Sequence, residues 1–300
     1  MAGQPRLAGV GIFLLILLFT LAVGWLILRG HGLAAVGALA VSFLYLLILA
    51  RWQHGVYGLL VYLPFAGLVT LAFYPWEGPP LLNPLLYKDW LFVVPAYLGF
   101  LMGVVTRRER FPQLERLPSR LLLALSVLVI AQAANPGVAN LTMALIGIKV
   151  WLFYFPLYFL TAALLASRQQ LIFLLRLMLV VAIVPCVVGI MEFALGRFYG
   201  HLTVMEAVYG TMAPEAQQGF TVYEVGGGLL PRGTPSTFTF VTQFFGYLLS
   251  TLVACYAVWR TDPSPRWRRL GLFMLIFVAL NALLTGARAA FLFVPLLLLL

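Results

Sequence analysis

Charge is scarce in this chain. Of its 300 residues only 9% are Asp, Glu, Lys or Arg, and just nine are acidic. Soluble domains carry about a quarter charged residues, so composition alone excludes an ordinary water-soluble fold. Cysteine is scarcer still, at two. Cys186 and Cys255 both fall inside apolar runs, which excludes a disulfide framework and leaves them as small apolar side chains. A P-loop, an HExxH helix and any Cys/His cluster are also missing, so no motif encodes ATP-driven transport, a cofactor or a metal site. No low-complexity linker and no internal repeat divides the sequence, and 1–300 reads as a single integral membrane domain.

What the chain has in abundance is hydrocarbon: 63% of its residues are hydrophobic, and its mean hydropathy is +1.02. A membrane span needs about 20 apolar residues. Nine such runs stand at 7–28, 33–50, 55–73, 91–106, 121–135, 143–166, 171–192, 237–259 and 270–286. A tenth, 289–300, has only twelve residues before the sequence ends, too few to cross, so a truncated span is expected there. The first run follows Arg6 but lacks a small-residue cleavage site and precedes many more runs, which predicts an uncleaved helix. The fold class expected is all-α: a polytopic bundle of nine complete spans and a partial tenth.

The net charge of +10 reflects orientation in the membrane, with no role for nucleic acid. With the N-terminus cytoplasmic, thirteen of the nineteen Lys and Arg fall inside: Arg6, Arg51, Arg107, Arg108, Arg110, Arg116, Arg120, Arg168, Arg176, Arg260, Arg266, Arg268 and Arg269. Six fall outside: Arg29, Lys88, Lys149, Arg197, Arg232 and Arg288. That asymmetry is the positive-inside bias. The connections "RRERFPQLERLPSR" and "RTDPSPRWRR" then lie against anionic lipid head groups.

Most connections are short, but the outer loop 193–236 is long and rich in Tyr, Phe and Met. Loops of that length in compact proteins are usually functional or disordered, and the aromatic content argues against disorder. Short helices packed on the outer membrane face are expected. The loop holds Arg197, His201, Glu206, Glu215, Glu224 and Arg232. The glycines of "VGGGLL" fit a hinge before Arg232. Gly99 and Gly103 form a GxxxG suited to internal helix packing. Asn140-Leu141-Thr142 fits a glycosylation sequon set close to the membrane.

Two arginines are candidate ligand groups. Arg232 precedes the eighth run in "PRGTPSTFTFVTQFFGYLL", and Arg288 stands in "LLTGARAAFLFVPLLLLL" between the ninth and tenth. Both are flanked by small residues. A guanidinium is a planar, permanent cation whose fork matches phosphate oxygens, and two of them converging could hold a pyrophosphate. The plainer alternative is that each snorkels to a lipid head group.

These two stretches resemble the signature pair of the O-antigen ligase and polymerase family, bacterial proteins that join or polymerise lipid-linked polysaccharide. There an Arg precedes a Gly-Thr/Ser-Phe-like stretch entering a helix, and a second element reads approximately Thr/Ser-Gly-Ser-Arg-Gly before a long apolar helix. This chain has Ala287 for Ser and Ala289 for Gly, with the arginine in register. Thr239 to Gln243 stand where ligases often show a His-Pro-Asn-like run, a departure that favours a polymerase. "GIKVWLFYFPLYFL" is also similar in style, with Lys149 at the outer end of the sixth span. The likeness covers roughly 140–300; earlier spans match only as generic membrane helices.

The resemblance implies a GT-C-like, metal-independent inverting glycosyltransferase of the bacterial inner membrane, without a nucleotide-sugar donor or other cofactor. Its partners would be a polyprenyl-diphosphate-linked glycan donor, a glycan or lipid-linked acceptor, membrane lipids and other polysaccharide-assembly proteins. Arg232 and Arg288 would hold the pyrophosphate, with Lys149, Arg197, His201, Glu224 and Gln243 as secondary site residues. In ligases of this kind the general base is a His on an outer loop after the second arginine, which here would lie beyond Leu300. Two other classes compete: a transporter or flippase of lipid-linked glycans, and a non-catalytic scaffold of envelope synthesis.

Overall fold

The computed structural model describes residues 21, 24, 28–78, 83, 86–106, 109, 117–135, 137, 140–210, 222–225, 228–231 and 233–299. In chain order the helices are α1 (Gly32–Ala50), α2 (Gln53–Tyr62), α3 (Ala66–Ala72), α4 (Val94–Val105), α5 (Leu117–Ala133), α6 (Leu141–Leu152), α7 (Phe155–Leu164), α8 (Arg168–Tyr199), α9 (His201–Tyr209), α10 (Val241–Thr261), α11 (Pro265–Leu284) and α12 (Ala290–Leu299). A 3₁₀ turn, Leu63–Phe65, joins α2 to α3, and a π turn, Asp89–Val93, opens α4. Among the described residues, the regular structure is helical apart from one short hairpin, β1 (Val222–Val225) against β2 (Gly228–Pro231).

Six of the described helical segments are long and apolar enough to cross a membrane: Gly32–Ala50, Gln53–Ala72, Leu141–Leu164, Arg168–Tyr199, Val241–Thr261 and Pro265–Leu284. They coincide with the second, third, sixth, seventh, eighth and ninth apolar runs. The fourth and fifth runs form the shorter apolar helices Asp89–Val105 and Leu117–Ala133. The first run falls almost wholly outside the described residues. Large apolar side chains such as Leu46, Val127, Leu128, Ile276 and Phe291 stay more than half exposed. In water such a surface would drive aggregation; in hydrocarbon it is the solvent-matched face. The chain is a membrane protein.

Two apolar cores organise it. The larger lies among α8, α10, α11 and α12, with Leu179, Cys186, Phe244, Leu248, Leu252, Cys255, Met274 and Val278 buried. The smaller joins α1, α2, α4 and α7 through Ile48, Trp52, Phe100, Leu160 and Leu164, and takes in Leu174 of α8. The 32-residue α8 therefore spans both. Its N-terminus is fixed by a capping box, with the Ser167 hydroxyl accepting from Gln170 N–H and the Gln170 side chain accepting from Ser167 N–H. Gly99 faces α1, where a Cβ would lie 2.9 Å from the Leu49 carbonyl oxygen, so the GxxxG pattern serves internal packing. Asn140 caps α6 by accepting from Met143 N–H, which engages the sequon side chain in helix initiation.

The long loop 193–236 differs from the all-helical expectation. At about 48 Å, α8 outruns the hydrocarbon thickness and carries the helix on to Tyr199. Gly200, at φ 87°, breaks it, and α9 supplies one short helix. Beyond that the chain forms the β1–β2 hairpin. Val225 pairs with Gly228 at its end; the other glycines of the sequence expected to be a hinge, Gly226 and Gly227, lie outside the described residues.

Candidate functional site

Helix α10 packs antiparallel to both α8 and α11, so the end of α8, the start of α10 and the end of α11 meet at one end of the bundle. Between them lies the segment 233–238. It is buried although polar: Thr234, Ser236 and Thr237 are each no more than 2% exposed. Three elements hold it. Gly233 lies so close to the backbone of Thr285 and Gly286 that no Cβ fits. Thr237 donates its hydroxyl to the Pro64 carbonyl, and Gly67 leaves just enough space for the backbone at Phe238. Ser236 donates N–H to Glu192 Oε2 at 2.9 Å and Oγ–H to the Pro185 carbonyl at 2.6 Å.

The two arginine motifs are thus brought together through their neighbours. Gly233 follows Arg232, and Thr285 and Gly286 precede Arg288. Arg232 itself lies outside the described residues. Arg288 is exposed in the turn between α11 and α12 and makes no salt bridge among the described residues. The turn is tight because Gly286 adopts φ 75°, and Ala287 N–H donates to the Thr285 hydroxyl.

Beside this segment is a cavity of about 330 Å³ lined by Tyr62, Thr70, Lys88, Thr239, Gln243 and Tyr247 among others. Lys88 leads from it to a charge cluster around a buried carboxylate. Asp89, 3% exposed, accepts from Tyr154 Oη–H at 2.6 Å and lies 2.9 Å from Lys149 Nζ and 3.8 Å from Lys88 Nζ. Burial lowers the Lys88 ammonium from its ordinary pKa, opposed by Asp89 and reinforced by Lys149.

The secondary candidates scatter. Lys149 is not at the end of its span. The helix begins at Leu141, two turns earlier, and Lys149 is sustained there by Asp89, because a cation within apolar surroundings needs a paired charge. Gln243, in the first turn of α10, lines the cavity. Arg197 is exposed in the last turn of α8. His201 starts α9 and packs against Gly196; burial and then the nearby Arg197 charge lower its pKa. Glu224 stands opposite Leu229 in the hairpin register. Glu215 lies outside the described residues.

Four buried polar residues were not among the candidates: Asp89, Glu192, Ser236 and Asn281. The signal for Glu192 was available, since a lone carboxylate at the edge of an apolar run is expensive unless engaged. Nothing in the sequence pairs it with Ser236, 44 positions away. Asn281 reaches towards Gly189, where a Cβ would sit 2.8 Å from its Oδ1.

Fold and site define the class: an integral membrane protein of apolar helices with a buried polar junction at one end. Comparison with family models, with curated proteins and with solved structures finds no significant match.

Proposed function

We propose that this chain is an O-antigen ligase or polymerase-like glycosyltransferase of the bacterial inner membrane, oriented with its N-terminus in the cytoplasm and the Thr285 end outside. The observation that carries the proposal is the contact of Gly233 with Thr285 and Gly286, which sets the segments bearing Arg232 and Arg288 side by side. Two guanidinium groups at one place suit a pyrophosphate. The donor is a glycan on polyprenyl diphosphate. An acceptor hydroxyl attacks the anomeric carbon, its proton passing to a base; the new C–O bond forms as the bond to diphosphate breaks. Arg232 and Arg288 stabilise the charge that develops on the leaving group. The cavity at Lys88, Gln243 and Tyr247 adjoins the same segment and offers aromatic walls, an amide and an ammonium to the acceptor sugar.

The test uses the protein from its whole reading frame, purified into lipid and supplied only with polyprenyl-diphosphate-linked repeat units. Arg232→Ala and Arg288→Ala should each lower elongation by about a hundredfold, with unchanged membrane insertion. Normal polymer from both variants would overturn the assignment and leave the transporter and scaffold classes.

A further inference from the structure

The opposite end of the α10–α11 pair carries a second cavity, remote from the polar junction. It measures about 380 Å³ and is lined by Trp259, Arg260, Pro265, Arg268, Arg269 and Leu272. The turn at Asp262 and Ser264 folds α11 back on α10, so Arg260 in the last turn of α10 meets Arg268 and Arg269 near the start of α11. Three guanidinium groups around one space repel one another unless an anion joins them.

Among the described residues, no carboxylate is ion-paired with these three arginines. Asp262 is the sole carboxylate between Cys255 and Leu275; its charge reaches Arg268, but its hydrogen bonds go to other groups. Its two oxygens accept from Arg176 Nε–H at 2.8 Å and Nη2–H at 2.7 Å, and Oδ1 also accepts from Ser264 N–H.

The surface next to the cavity identifies the kind of anion. Leu272, Ile276 and Leu280 follow Arg269 at helical spacing and are 39%, 66% and 46% exposed. They form an apolar stripe running along α11 away from the arginines. A soluble phosphate would use the cavity alone, whereas a phospholipid uses both features at once. We propose that this end of the α10–α11 hairpin binds one anionic phospholipid, its phosphate among Arg260, Arg268 and Arg269 and an acyl chain along Leu272, Ile276 and Leu280. The site is independent of the glycosyltransferase assignment.

The experiment places the intact protein in phosphatidylcholine nanodiscs, titrates dioleoylphosphatidylglycerol, and counts retained lipid by native mass spectrometry. Arg260→Ala, Arg268→Ala and Arg269→Ala should each weaken retention about fivefold. Arg266→Ala, a neighbour outside the cavity, should leave it unchanged, and thermal melting in pure phosphatidylcholine should be the same for all four. Ile276→Gln should weaken phosphatidylglycerol binding as well. Inorganic pyrophosphate serves as the soluble probe and should compete poorly. Equal losses from Arg266→Ala and Arg268→Ala would mean diffuse surface attraction and overturn the site. Pyrophosphate binding as tight as the lipid's, insensitive to Ile276→Gln, would overturn the lipid assignment.

Discussion

Gly233 packs directly on the Thr285 backbone, with no space between them for a side chain. Two stretches some fifty residues apart are in this way made one structural unit, and the approach depends on the absence of a Cβ. Gly233→Ala should force the two backbones apart at a cost of about 1–3 kcal/mol, and Gly233→Val should cost more. Thermal melting in detergent reports the loss. An unchanged melting temperature for Gly233→Val would show that the segments are not in contact.

Glu192 and Ser236 form the other clamp on this segment. Ser236 has φ 55°, a left-handed conformation unusual outside glycine. Glu192→Gln retains an acceptor for Ser236 N–H and should be mild. Glu192→Leu leaves that buried donor unpaired and should cost about 1–3 kcal/mol. Ser236→Val, β-branched and without the hydroxyl, should destabilise more than Ser236→Gly, which adopts the backbone freely. Denaturant unfolding of the four variants ranks them.

The Arg176–Asp262 pair fastens the other end of α8 to the α10–α11 turn. Arg176 also lies over the Trp267 ring, 4.8 Å from its centre. The hydrogen bonds from Arg176 hold the Asp262 carboxyl below its ordinary pKa. A depressed carboxylate contributes stability that is complete above its unfolded value, about pH 4, and is lost as pH falls through the lower folded value. Melting temperature should therefore drop in acid more steeply for the wild type than for Asp262→Asn. Arg176→Ala should lower the melting temperature at neutral pH, because it leaves the Asp262 carboxylate without its guanidinium partner.

His201 titrates in the opposite functional range. Its folded pKa is lowered, chiefly by burial against α8, so the neutral imidazole is the form the fold favours. Stability is complete above the unfolded value of about 6.5 and declines as pH falls through the folded one. Wild type should lose stability as pH falls below about 6.5, and His201→Phe should remove that part of the profile. Proton-detected titration of the imidazole gives the same pKa directly.

Much of the architecture was legible in one dimension. Apolar runs located eight helical segments, since a chain in hydrocarbon must satisfy its backbone within each segment. The scarcity of charge assigned the solvent before any motif was considered. The small residues around Arg232 and Arg288 marked both as unusual. Lys149 was misplaced towards the end of its span because the sequence does not reveal the carboxylate, Asp89, that sustains it two turns in.

The hairpin of β1 and β2 was missed because its strands are four residues each, in a loop whose composition favoured helix. Composition and periodicity by themselves determined that this is a membrane protein and roughly where its helices lie. Both are sums over local residues, set by transfer between water and hydrocarbon. Only the tertiary structure decided that Gly233 meets Thr285, that Glu192 holds Ser236, and that three arginines converge beyond Asp262. Contacts between distant residues depend on helix packing and on which small residues let backbones approach, and the hydrophobic pattern of the chain carries neither.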